Sequence, residues 1–164
     1  MEDYKNKDLS DECYDEWWLS KDMENMGYIF EYCVKYCIEL YNVYIDKKRF
    51  LNDFMCSNIR REMETGHPRL LSQSAFDTIK AFVKYEKRNR IEQYKSGDFN
   101  EYEEYGFNQF YWVGWMYAYI HFCTKLSSRN IIARISLDEM LDLYYLGHEM
   151  DKTVFFEHIR DYFE

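Results

Sequence analysis

Two cysteines offer the simplest candidate for chemistry, because Cys33 and Cys37 lie four residues apart. On a helix this spacing places both thiols on one face, where they could chelate a soft metal ion. A tetrahedral zinc site needs four ligands, however, and no second close pair of cysteine or histidine residues offers itself. We therefore predict two buried thiols that pack as small hydrophobic side chains, and no metal site.

A second candidate is the stretch RREMETGH, in which Arg60 and Arg61 precede His67 by six and five intervening residues. This spacing resembles the arginine–histidine motif of the small all-helical HEPN ribonucleases. The resemblance implies an arginine that holds phosphate and a histidine that helps to activate the 2′-hydroxyl. The polar residue that usually follows the arginine is here Glu62. A surface ion pair followed by a histidine beyond a helix end explains the same residues, so Arg61 and His67 are an alternative catalytic pair and not our main prediction.

The charge balance limits the choice of partner. The chain has 164 residues, of which 30 are acidic and 21 are basic, and its formal net charge is -9 at pH 7. Affinity for nucleic acid grows with the number of phosphates that Lys and Arg neutralise, so we expect no direct DNA binding. Acidity favours either a basic protein partner or simple solubility. No glycine loop of the form GxGxxG or GxxxxGK[ST] is present, and we expect no cofactor.

The cysteine count and the N-terminus indicate a compartment. The five cysteines are an odd number and are scattered, which is typical of reduced thiols. The N-terminal residues MEDYKNKDLSDECYDEWW do not combine a positive start with an apolar stretch, as a signal peptide would. We predict a cytoplasmic protein that does not enter a membrane.

The acidity is unevenly distributed along the chain. Residues 1–31 hold three basic and ten acidic groups, and residues 97–164 hold five and twelve. Residues 66–96 hold seven basic and only three acidic groups. This middle segment contains a predicted basic helical face. Its role is left open: the face pairs with the acidic N-terminal segment, is solvated, or binds an acidic ligand or RNA. The face consists of Lys80, Lys84, Lys87 and Arg88.

Helical periodicity runs along the whole chain, and two segments are unusually apolar. In residues 28–46 the polar side chains recur every three or four positions, which leaves one narrow polar stripe on a helix that is otherwise buried. Residues 107–126 contain NQFYWVGWMYAYIHF, whose apolar part is shorter than the span of about 20 residues that a membrane requires. Gly114 and Ala118, four residues apart, would let a neighbouring helix approach closely. The polar stripe of the first segment comprises Glu31, Lys35, Glu39, Asn42 and Asp46.

These patterns predict an all-α fold. We expect a single compact bundle of six to seven helices around two mostly apolar helices, residues 28–46 and 107–126. One helical domain spans residues 1–164, with an acidic and peripheral N-terminal segment over residues 1–25. A further helix is expected over residues 47–65, and a third runs to about residue 95. Helix caps are expected at Ser72 or Ser74, at Ser136 with Glu139, and at Asp151.

The run YWVGWMYAYIHFCTKLSS, followed by LDLYYLGHEMDKTVFFEHI, carries a second resemblance. It resembles a family of small uncharacterised bacterial proteins with an aromatic Y-W-x-G-[YW]-x-Y helix, a Ser-led helix, an L-x-x-Y-x-x-x-H-x-x-D segment and a final amphipathic helix. The match covers about residues 111–159. Members occur in toxin–antitoxin-like operons beside ADP-ribosyltransferase-type toxins, which implies an antitoxin or toxin-companion role. The family often has Y-R-Y-W where Ala118, Tyr119 and Ile120 here follow Tyr117, without the arginine.

We therefore expect a non-enzymatic interaction protein, antitoxin-like or inhibitory. Its partner would be a protein, either a toxin or a basic nucleic-acid-binding protein, and the oligomeric state is left open. One alternative is an acidic mimic of nucleic acid that inhibits a nuclease or defence complex. The other alternative is a HEPN-like ribonuclease that uses Arg61 and His67. The predicted partner-binding residues are aromatic anchors among carboxylates: Asp11, Glu12, Asp15, Glu16, Trp17, Trp18, Tyr102, Glu103, Glu104 and Tyr105.

Overall fold

The computed structural model describes residues 13–86, 90–96 and 107–164. Within these ranges the chain forms nine α-helices and no β-sheet, apart from one isolated bridge between Ile45 and Lys95. The predicted all-α bundle is confirmed. The helices are α1 (Leu19–Tyr41), α2 (Lys47–Met55), α3 (Asn58–Glu64), α4 (Pro68–Ser72), α5 (Ala75–Glu86), α6 (Phe107–Thr124), α7 (Ser128–Arg134), α8 (Leu137–Gly147) and α9 (Lys152–Ile159).

The two apolar helices α1 and α6 form the centre of the bundle and pack extensively against each other. Gly114 lies at their closest approach, where an added Cβ would overlap the carbonyl oxygen of Met26 and the ring of Phe30. The close approach that the sequence predicts at Gly114 is thus present, and it explains why α6 contains a residue of low helix propensity. Tyr117, which is fully buried on α6, donates a hydrogen bond of 2.9 Å to the Ile135 carbonyl oxygen.

Helix α6 is therefore a core helix. Within the described ranges, no helix is long and apolar enough to cross a membrane. The two cysteines of α1 are buried as well, and burial raises the pKa of Cys33 to about 11 and that of Cys37 further. Both thiols stay protonated and pack as hydrophobic groups, as the sequence predicts.

Several helix boundaries differ from the sequence prediction. The first apolar helix begins at Leu19 instead of the expected residue 28. Its last residue is Tyr41, and the C-cap residue Asn42 has a left-handed φ of 54°. Asparagine adopts this conformation more readily than most residues, so it ends the helix before residue 46. The helix expected over residues 47–65 is divided, because the Ser57 side chain accepts a hydrogen bond from the Arg60 amide and starts α3.

The N-terminal caps of the remaining helices explain where they begin. Ser74 accepts the Asp77 amide at the start of α5, and Ser136 forms the expected capping box with Glu139. Asp151 caps α9 as predicted, by accepting the Thr153 amide. These local hydrogen bonds divide the chain into more and shorter helices than the periodicity alone indicates.

Candidate partner-binding surface

The predicted partner-binding residues that the structure describes form a corner at the start of the chain. Asp15, Glu16 and Trp17 are exposed, and the indole of Trp17 is 70% exposed. Trp18 is half-buried, and its ring stacks on that of Trp17 at a centroid distance of 4.2 Å. Trp17 is therefore exposed next to two exposed carboxylates, and its role as a binding anchor stays a prediction. The other predicted residues lie outside the described ranges: Asp11, Glu12, Tyr102, Glu103, Glu104 and Tyr105.

Tyr14 holds this N-terminal corner (residues 15–18) on the bundle. Its amide donates a hydrogen bond of 3.2 Å to the Glu64 carbonyl oxygen, and its hydroxyl donates one of 2.7 Å to Asp22 Oδ2. The ring is buried beside His121 and Phe122 of α6. Burial and the neighbouring Asp22 carboxylate raise the pKa of Tyr14 far above its ordinary value, so the hydroxyl remains a donor.

The Asp22 carboxylate belongs to a buried ion network centred on Arg60. The guanidinium makes two hydrogen bonds to Asp22, at 2.7 Å and 3.1 Å, and its Nε donates to Ser128 Oγ at 3.0 Å. Glu64 Oε1 lies 3.3 Å from the same Nε and accepts the Ser128 amide at 2.7 Å. Arg60, Asp22 and Glu64 are all inaccessible to solvent. The network therefore joins α1, α3 and α7 through fully satisfied charges.

Burial by itself would lower the pKa of Arg60, but the carboxylates of Asp22 and Glu64 outweigh burial and raise it. Arg60 is thus permanently charged and its donors are engaged inside the protein. An arginine in this position is a structural residue, because it has no access to a phosphate in solvent.

The alternative catalytic pair lies nearby on the surface. Arg61 is partly exposed, and its guanidinium contacts Glu64 Oε2 at 3.1 Å. His67 is exposed and lies beyond the end of α3, as expected, where it is the N-cap residue of α4 and its Nδ1 accepts the Leu70 amide at 3.4 Å. His67 lines a shallow cleft whose arginine is Arg69 and not Arg61. Among the contacts described here, Arg61 pairs with Glu64 of its own helix α3, and His67 caps α4.

The solvent face of α1 carries a row of aromatic rings. Tyr28, Tyr32 and Tyr36 recur at intervals of four residues, and their ring centroids lie 6.0 Å and 5.9 Å apart. Tyr111 of α6 meets Tyr28 edge-on at 5.3 Å, and Phe76 of α5 meets Tyr36 edge-on at 5.2 Å. We call these five residues the tyrosine row. Tyr28 is 38% exposed and the other four are half-buried.

A glycine makes room for one end of the tyrosine row. An added Cβ on Gly27 would lie 2.5 Å from the ring of Tyr111, which is closer than side-chain contacts allow. Tyr111 therefore lies across α1 only because residue 27 has no side chain. A glycine inside a helix costs about 1 kcal/mol relative to alanine, and the position of Tyr111 offsets that cost.

Charged side chains are interleaved with the tyrosine row. Glu24, Lys35 and Glu39 are exposed on α1, Glu31 is half-buried, and the Lys35 ammonium lies 5.9 Å from the centre of the Tyr32 ring. The Glu31 carboxylate raises the pKa of Tyr32, and burial raises the pKa values of Tyr36 and Tyr111. The hydroxyls are therefore neutral at physiological pH and are able both to donate and to accept hydrogen bonds.

The sequence prediction missed the tyrosine row, because it treated the aromatic residues of the first apolar helix as buried. The available signal was the spacing of the three tyrosines, which adjoin the polar stripe of Glu31, Lys35 and Glu39. Of the predicted basic face, Lys80 and Lys84 are exposed on α5, whereas Lys87 and Arg88 lie outside the described ranges.

Comparison of the chain with family models, with curated proteins and with solved structures finds no match in any of the three.

Proposed function

We propose that this chain is a non-enzymatic interaction protein, antitoxin-like or inhibitory, that binds a basic partner protein through the N-terminal corner and the tyrosine row. The observations that carry the proposal are the row of exposed and half-buried aromatic rings on the solvent side of α1, interleaved with glutamates, and the exposed Trp17 just before that helix.

The chemistry of this surface suits protein recognition. Tryptophan and tyrosine dominate binding hot spots because they contribute large contact areas at a low cost in side-chain entropy. The rings of the tyrosine row support one another through stacked and edge-on contacts, so little ordering is needed when a partner binds. Lys35 beside Tyr32 illustrates that these ring faces accept a cation.

The carboxylates would select the partner. Glu24 and Glu39 are exposed on α1, and Asp15 and Glu16 immediately precede Trp17. Acidic groups around aromatic anchors attract a basic surface and accelerate encounter more than they tighten the final complex. A protein that covers the basic cleft of a toxin or nuclease in this way inhibits it without any catalytic residue of its own.

The decisive experiment is affinity purification of the tagged full-length chain from its native host, followed by mass spectrometry and an absorbance ratio for nucleic acid. We expect a stoichiometric protein partner with the wild type, and its loss with Trp17→Ser and with Tyr28→Ser. Tyr162→Ser is the matched control, because Tyr162 is 42% exposed, much like Tyr28, but lies at the C-terminal end of the chain.

The same purification distinguishes the alternatives. A complex that dissociates steeply with added salt and tolerates both aromatic substitutions would indicate an acidic mimic of nucleic acid. Bound RNA with no protein partner would contradict the proposal and would direct attention to Arg61 and His67. In that case His67→Ala should abolish RNA cleavage.

A further inference from the structure

A cleft lies on the surface between α3, α4 and α5. It has a volume of about 210 Å³, and its floor is formed by the apolar side chains of Ile59, Leu70 and Ala81. Pockets for small-molecule ligands usually measure about 300–1,000 Å³. A cleft of this size suits one large apolar side chain of a protein and is small for a metabolite.

The rim of the cleft is polar and carries one cation, Arg69, and one carboxylate. Arg69, His67 and Gln73 line it beside one carboxylate, that of Glu62. Tyr85 forms one wall and is 71% exposed, and the Lys84 ammonium lies 5.2 Å from the centre of its ring. Six of its eight lining residues lie in the segment of residues 66–96, which has seven basic and three acidic side chains in a chain whose net charge is -9.

The Glu86 side chain fixes the walls of this cleft relative to each other. Its two carboxylate oxygens accept the amides of Asn58 and Ile59, at 2.8 Å and 3.3 Å, and so connect the end of α5 to the start of α3. A carboxylate at a helix N-terminus is favourable, because it pairs with unsatisfied amides. The cleft is therefore preformed and does not require closure around a ligand.

A surface of opposite character lies on α8. Tyr145 and Leu146 lie three and four residues after Asp142, so both are neighbours of Asp142 on the surface of this helix. Tyr145 is 71% exposed and Leu146 is 50% exposed. Glu149, which is also exposed, follows just beyond the helix end. Residues 137–164 hold eight acidic and only two basic side chains.

We propose that the cleft of one copy of this chain binds the Asp142–Tyr145–Leu146 face of α8 from a second copy. The cleft offers an apolar lining beside Arg69, with Lys84 next to its Tyr85 wall, and α8 offers two exposed apolar side chains next to Asp142 and Glu149. The occupant needs an acidic flank and one large apolar anchor, and the chain itself supplies both. The contact joins two different patches, so it either closes reciprocally into a dimer or repeats from copy to copy.

The proposal leads to a specific test by charge exchange between two variants. In Arg69→Glu the cleft repels the acidic face, and in Asp142→Arg the face repels the basic cleft. Each variant alone should self-associate at least about tenfold more weakly than the wild type, because like charges are placed opposite each other. An equimolar mixture of the two should regain the wild-type association, since every cleft then has a face of opposite charge available on the other variant.

The measurement is sedimentation velocity of the chain at concentrations from about 10 µM to 1 mM, which detects association with dissociation constants in the micromolar to millimolar range. Leu146→Ser should also abolish association. Val154→Ser on α9 is the matched control, because Val154 is likewise 50% exposed but lies outside the proposed contact. Circular dichroism verifies that each variant is folded.

A wild type that remains monomeric across this range overturns the proposal. Association that survives both charge reversals, or that fails to return in the mixture, overturns it as well. These outcomes are independent of the toxin-binding role, because no other protein takes part in the measurement.

Discussion

Replacing Arg60 by methionine tests the buried ion network, because it removes one charge and keeps most of the side-chain volume. Asp22 and Glu64 would then lie in the interior without the guanidinium that they share. Breaking a buried ion pair by removing one partner costs about 3–5 kcal/mol, since the remaining charge stays desolvated. The total free energy of unfolding of a domain is typically about 5–15 kcal/mol. Arg60→Met should therefore lose a large fraction of the stability.

For a chain of this size, such a loss corresponds to a decrease in Tm of about 6–20 °C. Urea unfolding followed by circular dichroism measures the free energy directly. Arg61→Met is a matched control at the adjacent position, because Arg61 contacts the same Glu64 but is partly exposed. Its loss should stay below about 1 kcal/mol. Equal losses for the two variants, or a loss below about 1 kcal/mol for Arg60→Met, would refute the assignment of Arg60 as a desolvated structural cation.

Three further predictions concern single side chains. Gly27→Ala should displace the Tyr111 ring, with which an added Cβ would overlap, and should weaken partner binding while circular dichroism shows little loss of helix. Gly114→Ala should instead destabilise the fold by about 1–3 kcal/mol, because its Cβ would meet the backbone of Met26; an unchanged Tm would contradict the packing of α1 on α6. Burial lowers the pKa of Lys47 below its ordinary value of 10.5, so between the folded and unfolded pKa values the native state binds fewer protons and stability rises with pH. Lys47→Met should lack this rise. The free energy of unfolding of the wild type, relative to this variant, should therefore increase as the pH is raised towards 10.5. If the two proteins show parallel profiles of stability against pH, a buried ammonium at this position is excluded.

The helical fold could be predicted from the sequence because periodicity and caps are local signals. Ser136 and Asp151 act on amides within three residues, so the sequence alone identifies the helices that they begin. The cap at Ser57 was missed, although it is equally local, because the apolar residues Leu51, Met55 and Ile59 continue through it at a spacing of four. A periodic apolar face therefore conceals a break between two helices that pack on the same core.

The site was less predictable, because exposure depends on residues far away in the sequence. Adjacent helical residues point about 100° apart, and whether Arg60 or Arg61 faces inward is determined by Asp22, which is 38 positions earlier. The predicted pairing of Arg61 with His67 drew on spacing alone and could not include that partner. The exposure of Trp17 was predictable, since it stands among acidic residues, whereas the row from Tyr28 to Tyr36 adjoins a face that is buried.

The hydrogen bonds that hold Tyr14 on the bundle have a consequence for the kinetics of the proposed complex. Its hydrogen bonds reach Asp22 and Glu64, two members of the buried network, so the backbone just before Trp17 becomes fixed when the core forms. An anchor that is already in place loses little motion on association, and mutations of such anchors change the dissociation rate more than the association rate. A change deep in the core, at Arg60, would thus shorten the lifetime of a complex that it never touches.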